Sequence, residues 1–131
     1  MVTVKELKGL KSIYAVNALS SLVYGLAIEQ AHLGQGIEET YAKFEQLDEA
    51  GQRIQLKHAL QVVNLTQDDM LNLLCFALDP NGVPYDETRV KNMAPTDIMD
   101  AMLEVACKVA QTVKKTRSIT EDSKKNCQLA V

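Results

Sequence analysis

The sequence predicts an all-α protein: a compact bundle of about five to six helices, with a short N-terminal strand or arm and a disordered C-terminal tail. Three observations lead there. Apolar residues recur at three- and four-residue spacing along most of the 131 residues. Helix start and stop signals interrupt these runs at Thr66, in the turn Asp79-Pro80-Asn81-Gly82-Val83-Pro84, and at Pro95. The chain is 47% apolar, yet its only aromatic residues are Tyr14, Tyr24, Tyr41, Phe44, Phe76 and Tyr85. A core of Leu, Val, Ile, Ala and Met suits helix-on-helix packing.

Each element has its own signals. Alternation at Val2, Val4 and Leu7 marks residues 1–9 as a short strand or irregular arm. Residues 10–33 turn helical, with Ile13, Val16, Leu19, Val23, Leu26 and Ala27 as the apolar stripe. Gly34 is placed to end that helix, because glycine accepts a left-handed backbone without a Cβ penalty. A second helix is expected over residues 37–48, with Ile37, Tyr41, Phe44 and Leu47 inward and Glu38 and Glu39 at the positive end of its dipole. A third follows over 49–64, with Ile54, Ala59, Leu60, Val62 and Val63 as its apolar positions.

Thr66 is an N-cap, with Asp69 in a variant capping-box position. From there to Leu78 apolar residues cover most of the circumference, which predicts a central, buried helix. Pro80 disfavours helical geometry at Asp79, and Asn81-Gly82 favours a turn. A short helix is expected over 86–93. Pro95 breaks it, and Thr96 is expected to cap the last helix, whose stripe is Ile98, Met99, Met102, Leu103, Val105, Ala106, Val109, Ala110 and Val113. Past Val113 the composition becomes polar and unpatterned. Residues 1–113 therefore read as one helical domain and 114–131 as a flexible polar tail.

Charge and cysteine usage narrow the function classes. Residues 114–131 hold five basic and two acidic groups, so the rest, with nine basic and fifteen acidic, carries −6. An acidic body is a poor match for a phosphate backbone. Cys75, Cys107 and Cys127 are odd in number, widely spaced and without a CxxC, which argues against a disulfide framework or a zinc site and fits a reducing cytosol. The apolar run 13–28 is interrupted by Asn17, Ser20, Ser21 and Tyr24 and ended by Glu29, short of the ~20 residues a membrane helix needs.

No reactive constellation emerges. His32 and His58 belong to no HxxxH or HExxH pattern. The carboxylate pairs Glu38/Glu39, Asp48/Glu49 and Asp68/Asp69 are sequence neighbours, which point in different directions on a helix. Gly34-Gln35-Gly36 lacks the remainder of a phosphate loop, and Ser20-Ser21 has no nucleophile elbow. The expectation is a protein without catalysis, cofactor or metal, acting through helical apolar surface. Methionines near Pro95 suit an adaptable surface. The candidate partner-binding residues are Met70, Leu74, Met99, Met102, Leu103 and Ala106.

The run Leu65-Thr66-Gln67-Asp68-Asp69-Met70-Leu71-Asn72-Leu73-Leu74-Cys75-Phe76-Ala77-Leu78, a turn, Asp86-Glu87-Thr88-Arg89-Val90, then Pro95-Thr96-Asp97-Ile98-Met99-Asp100-Ala101-Met102-Leu103-Glu104, resembles the tail assembly chaperones of long-tailed (siphovirus-type) bacteriophages. The earlier acidic helix ending at Leu33-Gly34 fits the same pattern. The resemblance lies in element order and apolar spacing over about residues 20–115. It implies a helical protein of the host cytoplasm, absent from the mature virion, that binds the tape-measure protein and recruits tail-tube subunits, commonly as a homo-oligomer. It also implies a programmed frameshift, with which Ser123-Lys124-Lys125-Asn126 is compatible. A small helical adaptor or transcriptional regulator, binding nucleic acid through the basic tail, is the alternative.

Overall fold

The computed structural model describes the backbone of residues 2–31 and 36–129, and the side chains of these residues other than 31, 37 and 115–129. The predicted Gly34 helix end and His32 lie outside the described residues. Among the described residues, six helices and one small sheet follow in the order β1 (Thr3–Val4), α1 (Leu10–Ala31), α2 (Ile37–Gln46), α3 (Glu49–Val62), α4 (Gln67–Leu74), β2 (Ala77–Leu78), α5 (Glu87–Val90) and α6 (Pro95–Leu129). The all-α class and the N-terminal strand are as the sequence predicts.

Side-chain caps set the starts of α3, α4 and α5. The Asp48 carboxylate accepts from the Gly51 N–H at 2.8 Å, the Thr66 hydroxyl from the Asp69 N–H at 3.1 Å, and the Asp86 carboxylate from the Arg89 N–H at 2.7 Å. Each satisfies one of the backbone donors that a helix N-terminus leaves open. The last helix starts two residues earlier than expected. Pro95 is its first residue and Ala94 its cap: the Ala94 carbonyl accepts from the N–H groups of Asp97 and Ile98. Proline suits this first position because the missing N–H would have had no helical partner. Thr96 lies inside the helix.

The helix expected over 66–78 also ends early. It stops at Leu74, and Ala77–Leu78 are extended, pairing antiparallel with Thr3–Val4 in the register Thr3 to Leu78 and Val4 to Ala77. The Lys5 N–H continues the ladder to the Phe76 carbonyl at 2.8 Å, and Leu78 bridges Pro84 on its other side. A strand whose partner residues lie 75 and 73 positions away in the chain (Thr3 to Leu78, Val4 to Ala77) cannot be read from helical spacing alone.

α1 runs through the middle, packed against α2, α3, α4 and α6. Ala15, Ala18, Leu19, Leu22, Val23, Leu26 and Ala27 form its buried face. Against it stand Phe44 of α2, Leu56 and Ala59 of α3, Leu73 and Leu74 of α4, and Ala101, Val105, Ala106 and Val109 of α6. α1 comes close enough to the end of α3 that only glycine fits at position 25: an added Cβ would lie 2.6 and 2.8 Å from the two Val63 methyls. Three expected apolar positions are exposed instead, Ile13, Ile54 and Val62. On α3 the inward face is Gln52, Leu56 and Ala59, set by a four- and three-residue step that skips Ile54. Gln52 is tolerated there because its amide donates to the Phe44 carbonyl at 3.2 Å. The backbone of α6 extends through the stretch that the sequence reads as a tail.

Candidate partner-binding surfaces

The six candidate residues divide sharply by accessibility. Leu74, Met102, Leu103 and Ala106 are buried, at 1%, 4%, 6% and 0% exposure, whereas Met70 and Met99 are half-buried. The first four face α1 and its neighbours and fill the domain's own core. Apolar spacing marks them, but it does not say whether the covering chain is this one or another.

Parts of the set do meet at the surface. Met70, Leu71 and Leu74 line a groove of about 260 Å³ with Val90 of α5 and Ile98 of α6, closed at its edges by Gln67, Glu87 and Lys91. Met99 and Leu103 line a smaller one of about 160 Å³ with Leu60 of α3, rimmed by Lys57, Gln61, Thr96 and Asp100. The structure thus separates Met70 from Met99 into two grooves and leaves Met102 and Ala106 in neither. A third groove of about 240 Å³ runs between α1, α2 and α6, with Glu45 and Lys114 at its edge. The Lys114 ammonium donates to the Leu47 carbonyl at 3.0 Å.

Among the described residues, five of the eight large apolar side chains left exposed lie on α1. Leu10, Ile13, Tyr14, Tyr24 and Ile28 are 76%, 56%, 51%, 50% and 43% exposed and share the side opposite the buried face. Because both faces are apolar, no amphipathic contrast distinguishes them in the sequence. Residues 10–30 are also long and apolar enough, by length and composition, to cross a membrane. The helix is thus longer than the apolar run 13–28, and about half of its circumference is core.

Elsewhere polar groups tie the fold together. Asp79 is buried, and its carboxylate accepts from the Asn81 and Val83 N–H groups at 2.8 Å each and from Arg89 at 2.7 Å. The Val83 N–H, with Arg89 and the Asn81 N–H adding to it and burial opposing it, holds that carboxyl below its ordinary value. The Arg89 guanidinium stacks 4.6 Å from the Tyr85 ring centroid and also donates to the Val83 carbonyl at 3.1 Å. Gly82 takes the left-handed backbone, φ 77°, that this turn needs. On the other side of the molecule, Arg53 of α3 pairs with Glu104 of α6 and reaches the Cys107 sulfur. Burial pushes the thiols of Cys75 and Cys107 up, so both are protonated and poor nucleophiles near neutral pH. Among the described residues, no three His, Cys, Asp or Glu side chains gather as a ligand set. Comparison with protein-family models, curated proteins and solved structures finds no match to this chain.

Proposed function

We propose that the chain is a tail assembly chaperone of a long-tailed bacteriophage, a non-catalytic protein without cofactor or metal that binds the tape-measure protein and helps recruit tail-tube subunits. It would act in the host cytoplasm and be absent from the finished virion. The resemblance over residues 20–115 suggests the family. The structural observation that supports a helix-binding role is the groove between α4, α5 and α6. Its floor is Met70, Leu71, Leu74, Val90 and Ile98, and its charged groups stand only at the edge. Such a groove accepts one or two apolar side chains from an amphipathic helix, and a methionine in its wall adapts to different ones. The Met99 groove, on the α3 side of α6, offers a second anchor for a long helical client.

Co-expression tests the reading. The tape-measure protein encoded with this chain should shift from the insoluble to the soluble fraction and co-purify with it. The variants Met70→Glu and Val90→Glu, which put charge at half-buried positions of the groove wall, should lose that effect while remaining folded. An equal yield of soluble tape-measure protein with and without the chain would dismiss the chaperone role.

A further inference from the structure

The outer face of α1 has an order of its own. Leu10, Tyr14, Asn17, Ser21, Tyr24 and Ile28 follow one another at steps of four, three, four, three and four residues. This is the spacing of a coiled-coil seam, sustained over roughly 27 Å at 1.5 Å per residue. All but Ser21 and Asn17 are large and apolar, and none of the six is buried. The stripe also reads the same in both directions: apolar, tyrosine, polar, polar, tyrosine, apolar. Its midpoint falls at residue 19, so reversal places Leu10 on Ile28, Tyr14 on Tyr24 and Asn17 on Ser21.

That symmetry decides what fits the face. A twofold interface needs a surface complementary to its own reversed copy. In an antiparallel pair the two kinds of seam position alternate across the contact, as these three pairings do. Charge agrees. Lys11 stands beside the Leu10 end and Glu29 beside the Ile28 end, both exposed and on the same flank of the stripe. Antiparallel packing brings the Lys11 of one chain within about two residues, roughly 3 Å along the axis, of the level of the other chain's Glu29, twice per pair. Parallel packing would set each Lys11 level with the other Lys11 and far along the axis from either Glu29, so neither pairing forms. Asn17 and Ser21 meet at the centre across the axis only in the correct register, the role a single polar seam position plays in coiled coils; within its own helix the Ser21 hydroxyl donates to the Asn17 carbonyl at 3.2 Å.

We infer that the outer face of α1 is a homodimer interface in which two copies of this chain pack their α1 helices antiparallel about a twofold axis near residue 19. The inference is independent of the tape-measure reading, which uses α4, α5 and α6. The strip is narrow, at the small end of specific interfaces, so the dimer is of roughly micromolar strength.

Sedimentation velocity on the full chain alone, over a range from about one to several hundred micromolar, tests it. The native chain should shift from monomer to dimer across that range. Tyr14→Glu and Tyr24→Lys each place an unpaired charge in the seam and should weaken dimerisation at least tenfold. The double variant sets each new carboxylate against a new ammonium across the antiparallel contact and should recover most of the loss. Both tyrosines are half-exposed, so a circular-dichroism melt should show every variant folded. A native chain that stays monomeric throughout, or single variants that still dimerise, would overturn the interface. A double variant no better than the singles would overturn the antiparallel arrangement. Monomeric native chain that binds neutral phosphatidylcholine vesicles through the same tyrosines would make the face a lipid contact instead.

Discussion

Replacing Gly25 with alanine opposes two effects of known size, and their balance reports how closely α1 lies on α3. Within a helix, Gly→Ala is favourable by about 1 kcal/mol. Against this, the new Cβ would meet the Val63 Cγ1 and Cγ2 atoms at 2.6 and 2.8 Å and its Cβ at 3.3 Å. Ordinary carbon contacts lie near 3.5–4.0 Å, so the neighbour must move by about 1 Å. Rotating Val63 gives little relief, because two methyls occupy two of the three staggered positions and its own Cβ is already close. Overpacking of this kind costs about 1–3 kcal/mol. Gly25→Ala should therefore destabilise by about 1 kcal/mol net, lowering the melting temperature by roughly 4 °C for a chain of this length. In a Val63→Ala background the obstacle is gone, and the same substitution should become stabilising by up to about 1 kcal/mol. Urea and thermal melts followed by far-ultraviolet circular dichroism measure all four chains of the cycle. A higher melting temperature for Gly25→Ala in the native background, or no change of sign with Val63→Ala, would refute the close approach.

Other expectations concern the core, the turn and the thiols. Leu22→Ala, at a fully buried position on α1, should cost about 3–5 kcal/mol, whereas Ile54→Ala, at an exposed one, should stay within about 0.5 kcal/mol. Denaturant midpoints check both, and a reversed order would contradict the assignment of α3's faces. Because the native carboxyl of Asp79 titrates below its ordinary value of 3.8, its contribution to stability is complete above that value and fades as pH falls through the lower native one. An Asp79→Asn chain should thus lose less stability than the parent on acidification through that window; parallel losses would speak against the contribution. Thr66→Ala should cost about 1 kcal/mol through the lost cap, read from the same melts. Cys75 and Cys107 should be alkylated slowly at neutral pH in the native chain and quickly in denaturant, as their raised values require. Peptide mass mapping after a timed exposure would show the contrast, and equal rates in both states would refute it.

Much of the architecture was legible because it is local. Thr66 and Asp86 mark helix starts through groups that act within one turn, Pro95 marks the break between α5 and α6, and Pro80 with Gly82 marks the turn after α4 and β2. What escaped depends on contacts between distant segments. Ala77–Leu78 is extended because the arm at Thr3–Val4 supplies a ladder, and nothing within residues 66–78 announces that partner. Ile54 yields the inner face of α3 to Leu56, since the geometry of packing on α6, not hydrophobicity alone, sets the phase of the helix. The candidate site suffered most. Leu74, Met102, Leu103 and Ala106 carry the apolar signal of a binding surface, yet the domain's own helices cover them. The open apolar surface on α1 could have been found only by counting seven-residue steps on the side away from Leu19 and Leu22.

The account's central claim is that this chain binds a helix through the groove lined by Met70, Val90 and Ile98. Calorimetric titration of the purified chain with amphipathic segments of the tape-measure protein that the proposal makes its client tests that most directly. At least one segment should bind with saturable heat, and Met70→Glu should weaken its affinity by roughly tenfold or more, equivalent to about 1.4 kcal/mol, without lowering the melting temperature comparably. Saturable binding that is unchanged by Met70→Glu and Val90→Glu would place the site elsewhere, and no binding by any segment would contradict the claim.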